Sequence, residues 1–128
     1  AIYVVQKTLR ILEGIIQPKI AIFGAAFKGN VDDVRNSPTL SVCHQLQEAH
    51  ISFQIYEPYA KDFLFELTDL ESTIMQSDLI LILTDHREFQ YLSPEEIGKK
   101  MRHRNIYDTR HILDRDKWIT QGFHYWGI

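Results

Sequence analysis

The sequence holds a single cysteine, Cys43, among 128 residues. One thiol excludes an internal disulfide framework and fits a reducing compartment. There is no basic excess: 14 Lys and Arg stand against 17 Asp and Glu, a net charge of −3. Nucleic-acid-binding domains usually carry the opposite balance, so no nucleic-acid partner is expected. No apolar run approaches the ~20 residues of a membrane span, so no membrane partner is expected. The longest run, Leu79–Leu83, has the length of a strand. The charge-rich stretch Gln6–Glu13 interrupts the N-terminal apolar pattern, so no signal peptide is expected. What is present is ordinary globular material, 45% hydrophobic and 24% charged. We therefore expect one soluble, intracellular, cytoplasmic domain with one core.

The first segment has a helical period. Ile2, Val5, Leu9, Leu12 and Ile16 form an apolar stripe that Tyr3, Ile11 and Ile15 widen. Pro18 is expected to stop that helix. No capping residue precedes it, which reads as a frayed end or as a chain cut within a helix. Then strands and helices alternate. Strands are expected at Lys19–Gly24, Ser52–Tyr56, Asp78–Thr84, Asn105–Tyr107 and Phe123–Trp126. Helices are expected from Ser37 to about Ala49, over Ala60–Gln76, from Ser93, and from Asp114 or Arg115 to Gln121. Ser37 suits the N-cap and Pro38 the first helical position. Ser93 and Glu96 have capping-box spacing. Alternation of this kind implies parallel strands joined by right-handed crossovers. The expected fold is α/β, a Rossmann-like doubly wound parallel sheet of five strands with an extra N-terminal helix.

Ligands of such sheets bind beyond the carboxyl ends of the strands, at the switch point of strand order. That rule selects Gly24–Ser37, Glu57–Tyr59, Thr84–Gln90 and Asp108–Leu113. The first of these reads GAAFKGNVDDVRNSP through Pro38. It lacks the dinucleotide fingerprint, because Ala26 stands where G-x-G-x-x-G needs glycine. It also lacks a Walker A motif, because Asn30 and Val31 follow Gly29. An independent nucleotide hydrolase is thus disfavoured. Gly24 and Gly29 still free the backbone, Lys28 supplies a cation, and the helix from Ser37 points its positive end at the same edge. Asp32, Asp33 and Arg35 admit two readings. One aspartate pairs with Arg35 while the other caps a turn, or the carboxylates act as acid and base. No neighbouring His or Cys supports a metal there.

Taken together, KIAIFGAAFKGNVDDVRNSP resembles the opening of the C-terminal domain of the UDP-glucose/GDP-mannose dehydrogenase family. The family's order is Gly, a small residue, Ala, an aromatic, Lys, then Asp-Asp-x-Arg-x-Ser-Pro. Here Gly24, Ala25, Ala26, Phe27, Lys28, Asp32, Asp33, Arg35, Ser37 and Pro38 follow it. Tyr56-Glu57-Pro58, Thr84-Asp85-His86-Arg87-Glu88-Phe89 and Tyr107-Asp108-Thr109-Arg110 continue the likeness, which spans Lys19 to Ile128.

The resemblance implies an NAD-dependent enzyme that oxidises the C6 alcohol of a nucleotide sugar to a carboxylate. In such enzymes NAD binds a separate N-terminal domain, and a central helical region carries the nucleophilic cysteine and dimerises. Residues 1–17 would then end the central region, and residues 18–128 would be the nucleotide-sugar-binding domain. Partners would be a UDP-sugar, the N-terminal and central domains, and a second copy of the parent. No catalytic, NAD-binding or metal-binding residue is expected in this chain.

The resemblance places Phe27 and Lys28 against the nucleotide sugar, sets Arg110 against its charge, and lets Asp32, Asp33 and Arg35 shape the loop. Physical chemistry agrees, since Lys28 and Arg110 would offset a diphosphate from two strand ends. For Phe27 the alternative is core packing, and for the two cations it is a solvated surface. His86 is either a contact to substrate or domain interface, or a loop residue bonded to backbone. Cys43, among Leu40, Val42 and Leu46, reads as a buried inert thiol. Asp85-His86 fits the branch acting on UDP-N-acetylhexosamines better than the branch acting on UDP-glucose. The rival to the whole reading is a non-catalytic interaction or regulatory domain with a vestigial nucleotide pocket.

Overall fold

A computed structural model describes residues 1–26 and 37–128. Phe27, Lys28, Asp32, Asp33 and Arg35 lie outside the described residues. The element order is α1 (Ile2–Ile11), β1 (Lys19–Phe23), α2 (Pro38–Glu48), β2 (Ser52–Tyr56), α3 (Leu70–Ile74), β3 (Leu79–Ile82), a 3₁₀ turn (Arg87–Tyr91), α4 (Pro94–Gly98), β4 (Asn105–Asp108), α5 (Arg115–Thr120) and β5 (His124–Gly127). The strands form one five-stranded sheet, ordered β2-β1-β3-β4-β5, and every pairing is parallel. The expected doubly wound architecture is therefore present.

Alternation along each strand splits the core in two. Ile20 and Ile22 of β1, Leu79 and Leu81 of β3, and Tyr107 of β4 face one side, where α1 and α2 cover them. Ala21, Phe23, Ile80, Ile82 and Ile106 face the other side, under α3, the 3₁₀ turn, α4 and α5. All four residues of β3 are fully buried, as a central parallel strand requires. Each such Leu or Ile contributes about 1.5–3 kcal/mol by leaving water.

Local chemistry sets most helix starts. Ser37 accepts the Thr39 amide at α2, Asp69 that of Ser72 at α3, Ser93 that of Glu96 at α4, and Asp114 that of Lys117 at α5. Pro38 and Pro94 fill first-turn positions where no amide is needed.

Two expectations are corrected. Helix α1 ends at Ile11, ahead of Pro18, because the chain turns at Gly14, whose φ of +88° suits glycine. Its buried face is Val5, Thr8 and Leu12, flanked by Val4, Ile11 and Ile15. Ile2, Leu9 and Ile16 of the expected stripe are exposed instead. Apolar residues occupy more than one face of this helix, and packing onto α2 selects the face centred on Thr8.

The second correction concerns Ala60–Gln76, which is helical only at Leu70–Ile74. Ahead of α3, Phe63, Phe65 and Leu67 turn toward the core while Asp62, Leu64 and Glu66 face outward. That is a period of two, with Leu67 bridging Ile55 at the sheet edge and Phe65 packing on Phe53 at 5.7 Å.

Candidate functional site

The chain leaves β1 for β2 on one side and crosses to β3 on the other, so the switch point lies between β1 and β3. Around it stand the carboxyl ends of β1, β2, β3 and β4. Gly24 ends β1 with a φ of +105°, and its amide donates to the Tyr56 carbonyl at 2.9 Å. A Cβ on Gly24 would overlap the Thr84 side chain, so only glycine lets the β1 and β3 ends approach this closely. Thr84 Oγ1 in turn donates to the Ala26 carbonyl at 3.1 Å. Thr39 Oγ1 donates to the Gly24 carbonyl at 2.6 Å.

The centre of this arrangement is Glu57, at the end of β2. Its Oε1 accepts the amides of Ala25 at 2.6 Å and Ala26 at 3.0 Å. Oε2 accepts the amides of Tyr59 at 2.7 Å and Ala60 at 3.2 Å. The ring Nε2 of His86, beyond β3, lies 2.9 Å from Oε1. Both side chains are fully buried. Burial alone would raise the Glu57 pKa. The bond to His86 and those from Ala25, Tyr59 and Ala60 outweigh burial and hold it at about 2. Tyr59 lies over the His86 ring at 4.7 Å, and Phe89 meets its edge at 5.4 Å. Tyr59 Oη also donates to Glu88 at 2.8 Å.

A second buried carboxylate, Asp108, organises the end of β4. Oδ1 accepts the Arg110 amide at 3.1 Å. Oδ2 accepts the amides of Ile112 at 3.0 Å and Leu113 at 2.9 Å, and the Tyr125 hydroxyl at 2.9 Å. Burial, and then that bond to Asp108, push the Tyr125 hydroxyl pKa up. The Arg110 side chain emerges from this loop one-third exposed and reaches Asp85 at 3.4 Å. Arg110 and Asp85 thus bring the β4 and β3 ends to one edge.

One part of the expected anion cradle is used internally. Among the described residues, the amides just after β1 and at the start of α2 already have partners. Gly24, Ala25 and Ala26 donate to Tyr56 and Glu57. At the start of α2, Pro38 has no amide, Thr39 donates to Ser37 Oγ, and Leu40 donates to the Ser37 carbonyl. Among the described residues, anion binding at this edge falls on side chains, Arg110 first.

Of the residues singled out from sequence, Gly24, Ser37, His86 and Arg110 are brought to the same sheet edge. His86 is turned inward onto Glu57 rather than outward. Sequence reasoning put Glu57 on this edge but gave it no role. Its one local signal is an acidic residue between a strand end and Pro58. Cys43 is fully buried, and burial pushes its thiol up to about 12, as expected of an inert thiol. Among the described residues no group of three or more His, Cys, Asp or Glu could hold a metal. No helix there is long and apolar enough to cross a membrane.

Comparison with known proteins identifies the family. Residues 21–115 match the UDP binding domain of the UDP-glucose/GDP-mannose dehydrogenase family. A UDP-N-acetyl-D-mannosamine dehydrogenase of Methanococcus vannielii is 44% identical over 112 residues, covering 85% of this chain and 26% of the relative. A UDP-glucose 6-dehydrogenase of Rhizobium meliloti is 30% identical over 117 residues, 86% of this chain and 27% of the relative. The chain thus spans about a quarter of the curated relatives it matches. The solved UDP-D-ManNAc dehydrogenase from Pyrococcus horikoshii superposes with a TM-score of 0.83 and 34% identity, over 99% of this chain and 30% of that one. A nucleotide-sugar dehydrogenase structure from Methanosarcina mazei, named for N-acetyl-D-galactosaminuronic acid, gives 0.91 and 27%, over 99% and 28%. The chain belongs to the UDP-glucose/GDP-mannose dehydrogenase family, as its UDP binding domain.

Proposed function

We propose that this chain holds the nucleotide sugar for a dehydrogenase that oxidises the C6 alcohol of a UDP-N-acetylhexosamine to a carboxylate. The observation that carries this reading is the sheet edge itself. Arg110 stands part-exposed at the switch-point edge, while the amides of Ala25 and Ala26 are bonded to Glu57. A guanidinium suits bidentate phosphate contact, and Lys28 would add a point charge from the loop after β1. Phe27 would lie against a ring of the ligand, and Asp32, Asp33, Arg35, Gly24 and Ser37 would shape the loop. His86 would act through Glu57. The preference for an N-acetylhexosamine rests on Asp85-His86 and on relatives named for UDP-N-acetyl-D-mannosamine.

The residues of this chain do not fit NAD. The loop after β1 lacks the glycine fingerprint, and its first amides are bonded to Glu57. In this reading NAD and the catalytic cysteine belong to the N-terminal and central parts of the parent, with residues 1–17 closing the central region. Ile2, Tyr3, Leu9 and Ile16 are exposed around α1, apolar surface suited to those domains or to a second copy in a homodimer. A cytoplasmic location belongs to the same proposal.

Titration of the chain with UDP, followed by amide shift mapping, tests the reading. Shifts are expected within residues 24–37 and 108–112, and shifts that avoid both segments would sink it. Arg110→Ala and Lys28→Ala should each weaken UDP by roughly tenfold or more, the size of a lost hydrogen bond to a charged group.

A further inference from the structure

We propose that Glu57 is a positioning residue for the nucleotide ligand, clamping the ends of β1, β2 and β3 into the single rigid wall of the switch-point crevice, with His86 as its partner. The proposal rests on the UDP-binding reading of this edge.

A carboxylate can accept from several donors at once, and each oxygen here is used that way. Oε1 gathers Ala25 and Ala26 from the β1 end and His86 from beyond β3. Oε2 gathers Tyr59 and Ala60 from the turn after β2. One buried side chain therefore ties three strand ends. Burying an anion is costly unless its lone pairs are filled, and filling them fixes the donors in turn. The course of the chain through Ala25 and Ala26 is thus set by Glu57 and not by packing alone. The same bonds have a chemical consequence. In dinucleotide-binding sheets the amides after β1 face the ligand's phosphates. Here the amides of Ala25 and Ala26 face inward to Glu57, so among the described residues of this edge recognition of the anion falls on side chains.

His86 completes the clamp. It enters from the Thr84–Asp85–His86 segment, and its ring packs on Tyr59 at 4.7 Å and edge-on to Phe89 at 5.4 Å. The ring is thereby held where Nε2 meets Oε1.

The experiment compares UDP affinity and amide hydrogen exchange in the wild-type chain, Glu57→Gln, His86→Ala and Asp78→Asn. Asp78 is also a buried, multiply bonded carboxylate, but it lies at the opposite edge, bonded to the Lys19 amide, Arg102 and His103. Glu57→Gln is expected to weaken UDP by roughly tenfold or more. It should also speed exchange at Ala25 and Ala26, with β3 and β4 amides unchanged. His86→Ala keeps the carboxylate and should give a smaller loss, about threefold, which decides the matter if Glu57→Gln does not fold. Asp78→Asn should lower stability and leave UDP affinity within about twofold. If the wild type binds UDP and the Glu57 and His86 variants bind it no worse than Asp78→Asn, the positioning role is overturned and the binding reading survives. If the wild type shows no UDP binding, the binding reading itself falls.

Discussion

The two edges of this sheet use buried carboxylates differently. At the amino edge, Asp78 accepts the Lys19 amide at 2.8 Å, Arg102 Nε at 2.6 Å and His103 Nδ1 at 2.8 Å. Arg102 also donates to the Ile16 carbonyl at 3.0 Å. Asp78 therefore joins side chains and seals the entry to β1. At the carboxyl edge, Glu57 and Asp108 accept mainly backbone amides, each from residues within one or two loops. Asp78 joins elements through side chains, whereas Glu57 and Asp108 also shape the loops whose amides they accept. Loops of defined shape are what a ligand edge needs.

That contrast can be broken or sharpened by experiment. The largest effect should follow Asp78→Ala, which strands Arg102, His103 and the Lys19 amide. Urea unfolding is expected to show a loss of about 3 kcal/mol, about 1 kcal/mol for each of these three hydrogen-bond partners, since Arg102 and His103 are part-exposed. UDP affinity should not follow, and a parallel loss of affinity would erase the distinction between the edges. Next, Gly24→Ala puts a Cβ against Thr84 at a φ of +105°. A loss of about 2–3 kcal/mol is expected, here together with weaker UDP binding, because the strain falls on the ligand edge.

Acid provides a third comparison. The folded-state pKa of Glu57 is held at about 2 against an ordinary 4.5, and that of Asp78 below 3.8. For Glu57, burial opposes the shift, and the bonds from His86 and the amides prevail. For Asp78, burial likewise opposes it, and the bonds from Arg102, His103 and the Lys19 amide prevail. A depressed carboxyl pKa stabilises above the unfolded value and is lost as pH falls through the folded one. Stability should thus decline from about pH 4.5 toward pH 2, Glu57 contributing on the order of 2 kcal/mol after screening by solvent. Urea midpoints across that range should fall less steeply in Glu57→Gln; an unchanged slope would remove Glu57 as their cause. The smallest effect is expected at Glu95→Ala, which breaks the exposed pair with Lys99 at 3.7 Å. Thermal melts should show a change within about 0.5 kcal/mol.

The order of strands and helices was legible because it rests on local signals. Leu79–Ile82 announces a central strand by being wholly apolar. Ser37-Pro38 and Ser93-Pro94 announce helix starts by their capping chemistry. The segment before Leu70 was misread because Phe63, Phe65 and Leu67 have the period of a strand within a stretch otherwise suited to helix. Only the sheet edge at Ile55 and the rings of Phe53 and Phe65 settle it. Helix α1 was misplaced on its own axis because neither stripe of apolar residues names its neighbour, and α2 chooses between them. At the candidate site, Arg110 was legible as a cation on the predicted edge. Glu57 was not, because the donors that join it to the β1 and β3 ends, Ala25, Ala26 and His86, are distant in sequence.

By itself the sequence determined the class of fold, the sheet edge on which the candidate residues gather and the family. All three rest on short-range patterns: hydrophobic period, caps, and motif spacing after β1. Tertiary structure alone decided how that edge is wired. The partners of Glu57 come from Ala25 and Ala26, from Tyr59 and Ala60, and from His86, 29 residues beyond it. A buried carboxylate takes whatever donors the fold delivers to it. Which donors arrive depends on strand order, a property of the whole chain that no local stretch of sequence carries.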